Sequence, residues 1–199
     1  MGLVILIFGL IVLLGAHIFV TFRRHREQLI ARLGRNSYRG LFSIVSLIGL
    51  ALIVWGYAGY RAHGLVEIWS PPAFMHHITV LLMLIAVIFI TAAFIPSHIK
   101  AGLHHPMLAS IKTWAVAHLL SNGDLGSIVM FGAFLAWGVY ARIAAKRCGD
   151  LGATVAPAGW TNDILVIIVG LVVFFLLGFY FHPYVIGVRV CPERSCRIA

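Results

Sequence analysis

The chain has 199 residues, of which 61% are apolar and 11% charged, and its mean hydropathy is +1.00; soluble domains carry roughly 25% charged residues, so a water-soluble fold is excluded. The formal net charge of +9 comes from Arg and Lys beside apolar runs, without a basic-aromatic groove pattern, which argues against a nucleic-acid partner. A hydrocarbon core of roughly 30 Å needs about 20 apolar residues per helix. The length therefore suits an all-α, polytopic membrane helix bundle of about six transmembrane helices, one transmembrane domain over 1–199 with a short polar tail from about 188, in contact with the lipid bilayer.

Apolar runs at about 2–22, 40–60, 76–95, 107–121, 125–144 and 163–186 predict the six spans. The first has no basic segment ahead of it and Arg after it, which reads as a retained span and not a cleaved signal peptide; MGLVIL also lacks the Ser or Thr of a myristoylation signal. The connections RRHREQLIARLGRNSYR, HGLVEIWSPPAF, PSHIKAGLHHP, SNGD and KRCGDLGATVAPAGWTND punctuate the runs with Gly, Pro and polar residues. The fourth span is the shortest, which suggests a tilted, re-entrant or bundle-buried helix.

Arg23, Arg24, Arg26, Arg32, Arg35 and Arg39 all fall in the first connection, whereas the second offers only Arg61. The positive-inside rule then puts the first connection in the cytoplasm and the N-terminus in the periplasm. Six spans also bring Lys100, Arg142, Lys146 and Arg147 inside, while Arg189, Arg194 and Arg197 are discordant. Cys148 falls in a cytoplasmic connection and reads as a reduced thiol. Cys191 and Cys196 would face an oxidising compartment, where a local disulfide is an open alternative.

Ten histidines are many for so apolar a chain, and ionisable groups at membrane depth are costly enough to mark function. His25, His63 and His98 lie in polar connections, and the adjacent His76 and His77 diverge by about 100° on a helix, a poor chelating pair. His17, His104, His105, His118 and His182 remain. Helical spacing puts Trp114 and Asn122 on the azimuth of His118, and Lys112 on that of His105. These imidazoles either hydrogen-bond between helices or hold a metal or haem. No HExxH, Cys cluster or intramembrane carboxylate points to zinc hydrolysis, an iron-sulfur centre or carboxylate-driven proton pumping, and the absence of CxxCH argues against covalent haem.

The stretch HHPMLASIKTWAVAHLLSNGD, followed by GAFLAW and joined by YRGLFSIVSLIGLALIVWGY and FHPYVIG, resembles the NnrU family of bacterial inner-membrane proteins over nearly the whole chain, and more distantly the plant and cyanobacterial zeta-carotene isomerases. The family's name comes from association with nitrite and nitric oxide reduction genes. The resemblance to the isomerases implies a b-type haem whose iron is ligated by the residues matching His17 and His118, with His105 and His182 matching further family histidines. The isomerases carry a Cys three residues before the second ligand where this chain has Ala115, so a thiolate ligand switch is not expected.

Depth along the helices leaves other pairings open, His17 with His105 or His118 with His182. Arg39 with Tyr38, Lys100 and Lys112 are the candidate partners of the haem propionates, and Lys112 alternatively snorkels to the headgroups. Three functions compete: redox-dependent cis-trans isomerisation of an apolar polyene, nitric oxide or nitrite metabolism as a haem sensor or electron carrier with a redox partner, and membrane assembly without catalysis. The sequence names no catalytic residue and no oligomeric state.

Overall fold

The computed structural model describes residues 1–156, 159–188 and 190. The Cys191–Cys196 pair and Arg189, Arg194 and Arg197 lie outside the described residues. Eight α-helices follow in order: α1 Gly2–Phe19, α2 Arg23–Leu33, α3 Arg35–Ala62, α4 Met75–Phe94, α5 His98–Leu103, α6 Pro106–Ser121, α7 Leu125–Arg147 and α8 Thr161–Leu176, the last running on as a π-helical segment, Leu177–Ile186. No strand occurs among the described residues, and the chain is an all-helical, polytopic membrane protein.

Among the described residues, five helical stretches, α1, α3, α4, α7 and α8 with its π-helical extension, are long and apolar enough to cross a membrane. The remaining expected span coincides with α6, whose 16 residues reach about 24 Å, short of a full hydrocarbon core. Two helices arise in what the sequence offered as connections. In α2, eleven residues bounded by Gly34 at φ 81°, the Arg-rich segment is itself helical. The other, α5, starts where the Ser97 side chain accepts from the Lys100 backbone N–H at 3.1 Å, an N-cap.

The helices gather into two units: Met1–Thr79 with Trp114–Leu151, and Val80–Thr113 with the described residues from Gly152 onward. In the first, α1 buries Leu6, Leu10 and Leu13 at helical spacing against α3, which presents Gly49, Ile53 and Gly56. The glycines permit the approach. A Cβ on Gly9 would lie 2.7 Å from the Ile53 backbone N, and one on Gly49 2.8 Å from that of Leu13, so the two backbones pack directly, as small residues allow in membranes. Met130 and Phe131 of α7 and Ala115 of α6 complete this core.

The turn after α6 is sewn to the loop after α3: Ile68 and Trp69 backbone N–H groups donate to the Gly123 carbonyl at 2.8 and 3.2 Å, and Leu125 N–H donates to Val66 O at 2.8 Å. Asp124 then caps α7, accepting from Ser127 N–H at 2.9 Å. The end of α3, the start of α4, the end of α6 and the start of α7 thus share one end of this unit, with Thr79 Oγ1 donating to Ala117 O. The start of α4 and the end of α6 therefore lie beside each other in this unit. Thr21 and Tyr140 hydroxyls meet at 3.0 Å, so the end of α1 lies beside the second half of α7, towards the opposite end, where the arginines of the first connection also lie.

In the second unit, Ser110 Oγ donates to Ala86 O at 2.7 Å, tying α6 to α4, and Gly170 of α8 packs on Ile88. The π-helical segment contains Pro183. Proline has no N–H to donate and its ring clashes with the carbonyl of residue i−4, so the hydrogen-bond ladder widens there.

Candidate functional site

His17 continues the buried stripe of α1, one turn beyond Leu13. Its Nδ1 lies 2.8 Å from the Leu13 carbonyl; a carbonyl only accepts, so this nitrogen carries a proton, and in the neutral ring the lone pair is then on Nε2, the arrangement of a metal-ligating imidazole. The ring packs against Phe42 of α3 (centroids 5.1 Å apart) and edge-on to Trp137 of α7 (5.5 Å).

His118 lies on the same face of α6 as Trp114. The ring stacks nearly parallel on Phe131 of α7 at 4.5 Å and 15° and meets Trp114 edge-on at 5.4 Å. Trp114 in turn touches Phe131 and Phe134. Below it, the Asn122 backbone and side-chain N–H groups both donate to His118 O, which fixes the end of α6. The shared azimuth of Trp114, His118 and Asn122 expected from spacing is present.

Phe131, Phe134 and Trp137 stand at three-residue steps along α7. The two imidazoles therefore face one aromatic stripe at two levels, about 9 Å apart along the helix. Among the described residues no three His, Cys, Asp or Glu side chains gather to hold a metal ion. A haem iron can be held by one or two imidazoles, and aromatic walls suit a porphyrin. In donor type and aromatic surroundings, His17 and His118 are compatible with holding a haem iron. Ala115 is fully buried in the core, so no alternative ligand stands three residues before His118.

Three buried polar atoms here have no hydrogen-bond partner among the described residues: Tyr38 Oη, Ser46 Oγ and Trp137 Nε1. Tyr38 stacks beside Phe42, Ser46 is one turn beyond Phe42 on α3, and Trp137 touches His17. Arg26 of α2 places its guanidinium 5.9 Å from the Tyr38 ring centroid. Arg39 is exposed.

The other expected site residues belong to the second unit. Lys112 is half-buried in α6, and Lys100 Nζ donates to Ala93 O at 2.7 Å. His105 packs with its Nε2 beside Gly152, and His182 Nδ1 donates to Leu177 O within the π-helical segment. Lys100, His104 and His105 line a recess of about 340 Å³, next to which Ala153 N–H donates to His104 O at 2.9 Å.

One arrangement has no counterpart among the expectations from sequence. Asp163 in the first turn of α8 is only 5% exposed; it pairs with His98 Nδ1 at 2.7 Å and accepts from Ile99 N–H at 3.0 Å, while the His98 ring stacks on Trp160 at 4.4 Å. The signal available was WTND directly before an apolar run, an acid placed in a helix's first turn.

No curated protein and no solved structure matches the chain. The family model of the NnrU protein matches residues 5–190, a span that takes in most of α1 with His17, the histidine-bearing α6 and the π-helical segment, and the chain belongs to the NnrU family.

Proposed function

We propose that the protein is a b-type haem-binding protein of the bacterial inner membrane, in which His17 and His118 would hold the haem iron, and that it catalyses redox-dependent cis-trans isomerisation of an apolar polyene. The observation that carries this reading is the placement of both imidazoles along the Phe131, Phe134 and Trp137 stripe, with the His17 Nδ1 proton committed to Leu13 O. When bound, the haem would supply redox chemistry at this site. The chain's own residues do the rest. Leu13 O orients the first imidazole, Phe131 and Trp114 hold the second from two sides, and the aromatic wall excludes water and favours a flat apolar ligand. Rotation about a double bond needs no proton relay, which suits a site without carboxylates.

On this reading the Arg-rich end faces the cytoplasm. The test is an absorption spectrum of the oxidised and reduced protein, followed by polyene analysis in a pigment-producing host. A haem Soret band together with isomerised pigment supports the enzyme. A haem band that shifts with nitric oxide, without isomerisation, supports instead the sensor or electron carrier suggested by the family's name, and absence of any haem band defeats both.

A further inference from the structure

Tyr38 carries its hydroxyl into the interior at 8% residue exposure with no acceptor among the described residues. A buried phenol normally finds a partner, because leaving the bond unmade costs desolvation without return. One turn along α3, Phe42 packs on the His17 ring, so this hydroxyl stands beside the proposed haem site, at its Arg-rich end. Arg26 reaches over the same ring. A permanent cation thus lies 5.9 Å from the centroid of the ring that carries an unsatisfied O–H donor, at the edge of an apolar bundle where an anion entering without partners would cost several kcal/mol.

A hydroxyl donor with a guanidinium is the recognition chemistry of a carboxylate. We infer that Tyr38 and Arg26 form a carboxylate subsite beside His17 and that, resting on the haem reading, the carboxylate it holds is a porphyrin propionate. This assigns the role to Arg26 in place of the exposed Arg39, and to this end of the bundle in place of Lys100, whose ammonium already donates to Ala93 O, or Lys112. Ser46 and Trp137, also unpartnered, line the same column but carry no charge partner, and are not assigned.

The experiment titrates the full-length protein, purified haem-free in detergent micelles, with haemin, haemin dimethyl ester and oleate, for the wild type, Tyr38→Phe and Arg26→Gln. The wild type is expected to bind haemin about tenfold or more tighter than the ester. Each substitution is expected to remove most of that preference by weakening haemin and leaving the ester unchanged, because the ester has no carboxylate to lose. Equal loss for haemin and ester would make both residues structural and overturn the subsite. Haemin binding indifferent to either substitution overturns it as well, including the case in which oleate alone responds, which would give the carboxylate to a lipid. A wild type that binds haemin and ester through His17 and His118 with equal affinity leaves the haem reading standing while overturning this inference; a wild type that binds neither overturns both.

Discussion

A hydroxyl at membrane depth has few acceptors to choose from, and Ser127 answers that shortage for a neighbour. Fully buried, it lies 2.7 Å from the Tyr57 hydroxyl. Ser127→Ala should leave that phenol unpaired and cost about 1–3 kcal/mol, read as a lower unfolding midpoint in detergent; an unchanged midpoint would mean that Tyr57 has another acceptor. Asp163→Leu should also lower the midpoint, through the loss of charged hydrogen bonds, and Asp163→Asn should lower it less, because an amide oxygen still accepts from Ile99 N–H; equal losses would contradict the role given to that bond. At this scale the sequence makes His17 and His118 legible, since an imidazole among leucines and alanines is conspicuous. It does not make Asp163 legible. An acid at a helix start reads as a solvated cap, and only the fold brings His98, 65 residues away, to its carboxylate. The orphan atoms of Tyr38 and Trp137 were equally hidden, for a lack of partners is a property of three dimensions.

Between elements, the most informative contact is that of α1 with α3. Gly40 and Gly49 sit on the same helix, but a Cβ at Gly40 meets nothing within 4 Å whereas at Gly49 it lies 2.8 Å from the Leu13 backbone. Gly40→Ala should therefore stabilise α3 by about 0.5–1 kcal/mol through reduced backbone freedom, while Gly49→Ala forces the helices apart and destabilises by about 1–3 kcal/mol. The check is the sign difference in detergent unfolding; two substitutions of equal sign would deny the close approach. Apolar runs bounded by Gly, Pro and Arg located α1, α3, α4, α6, α7 and α8 with its π-helical extension to within about five residues, because membrane helices announce themselves by length. The α2 helix was less visible: its apolar residues are sparse, and a basic segment between spans reads first as a topology signal. Nor could the strap that ties the end of α6 to the Val66–Trp69 segment be read from the sequence, because its backbone hydrogen bonds join residues far apart in the chain.

For the molecule as a whole, charge and cofactor chemistry make separate demands. The arginines of the first connection and the basic end of α7 gather at one end of the first unit, and Glu67, Asp124 and Arg61 at the other, an asymmetry of the kind that orients membrane proteins. A reporter fused after Arg35 should be cytoplasmic; a periplasmic signal would reverse the orientation. The central claim is haem ligation by His17 and His118. Its most direct test is the pyridine haemochrome content of purified wild type, His17→Ala, His118→Ala and His63→Ala. His63, whose Nδ1 also meets a backbone carbonyl, that of Gly59, but which is exposed, is the matched control. Ligation by this pair predicts one haem per wild-type and His63→Ala chain and loss or marked spectral change in the other two variants. Equal haem content and identical spectra in all four would contradict it.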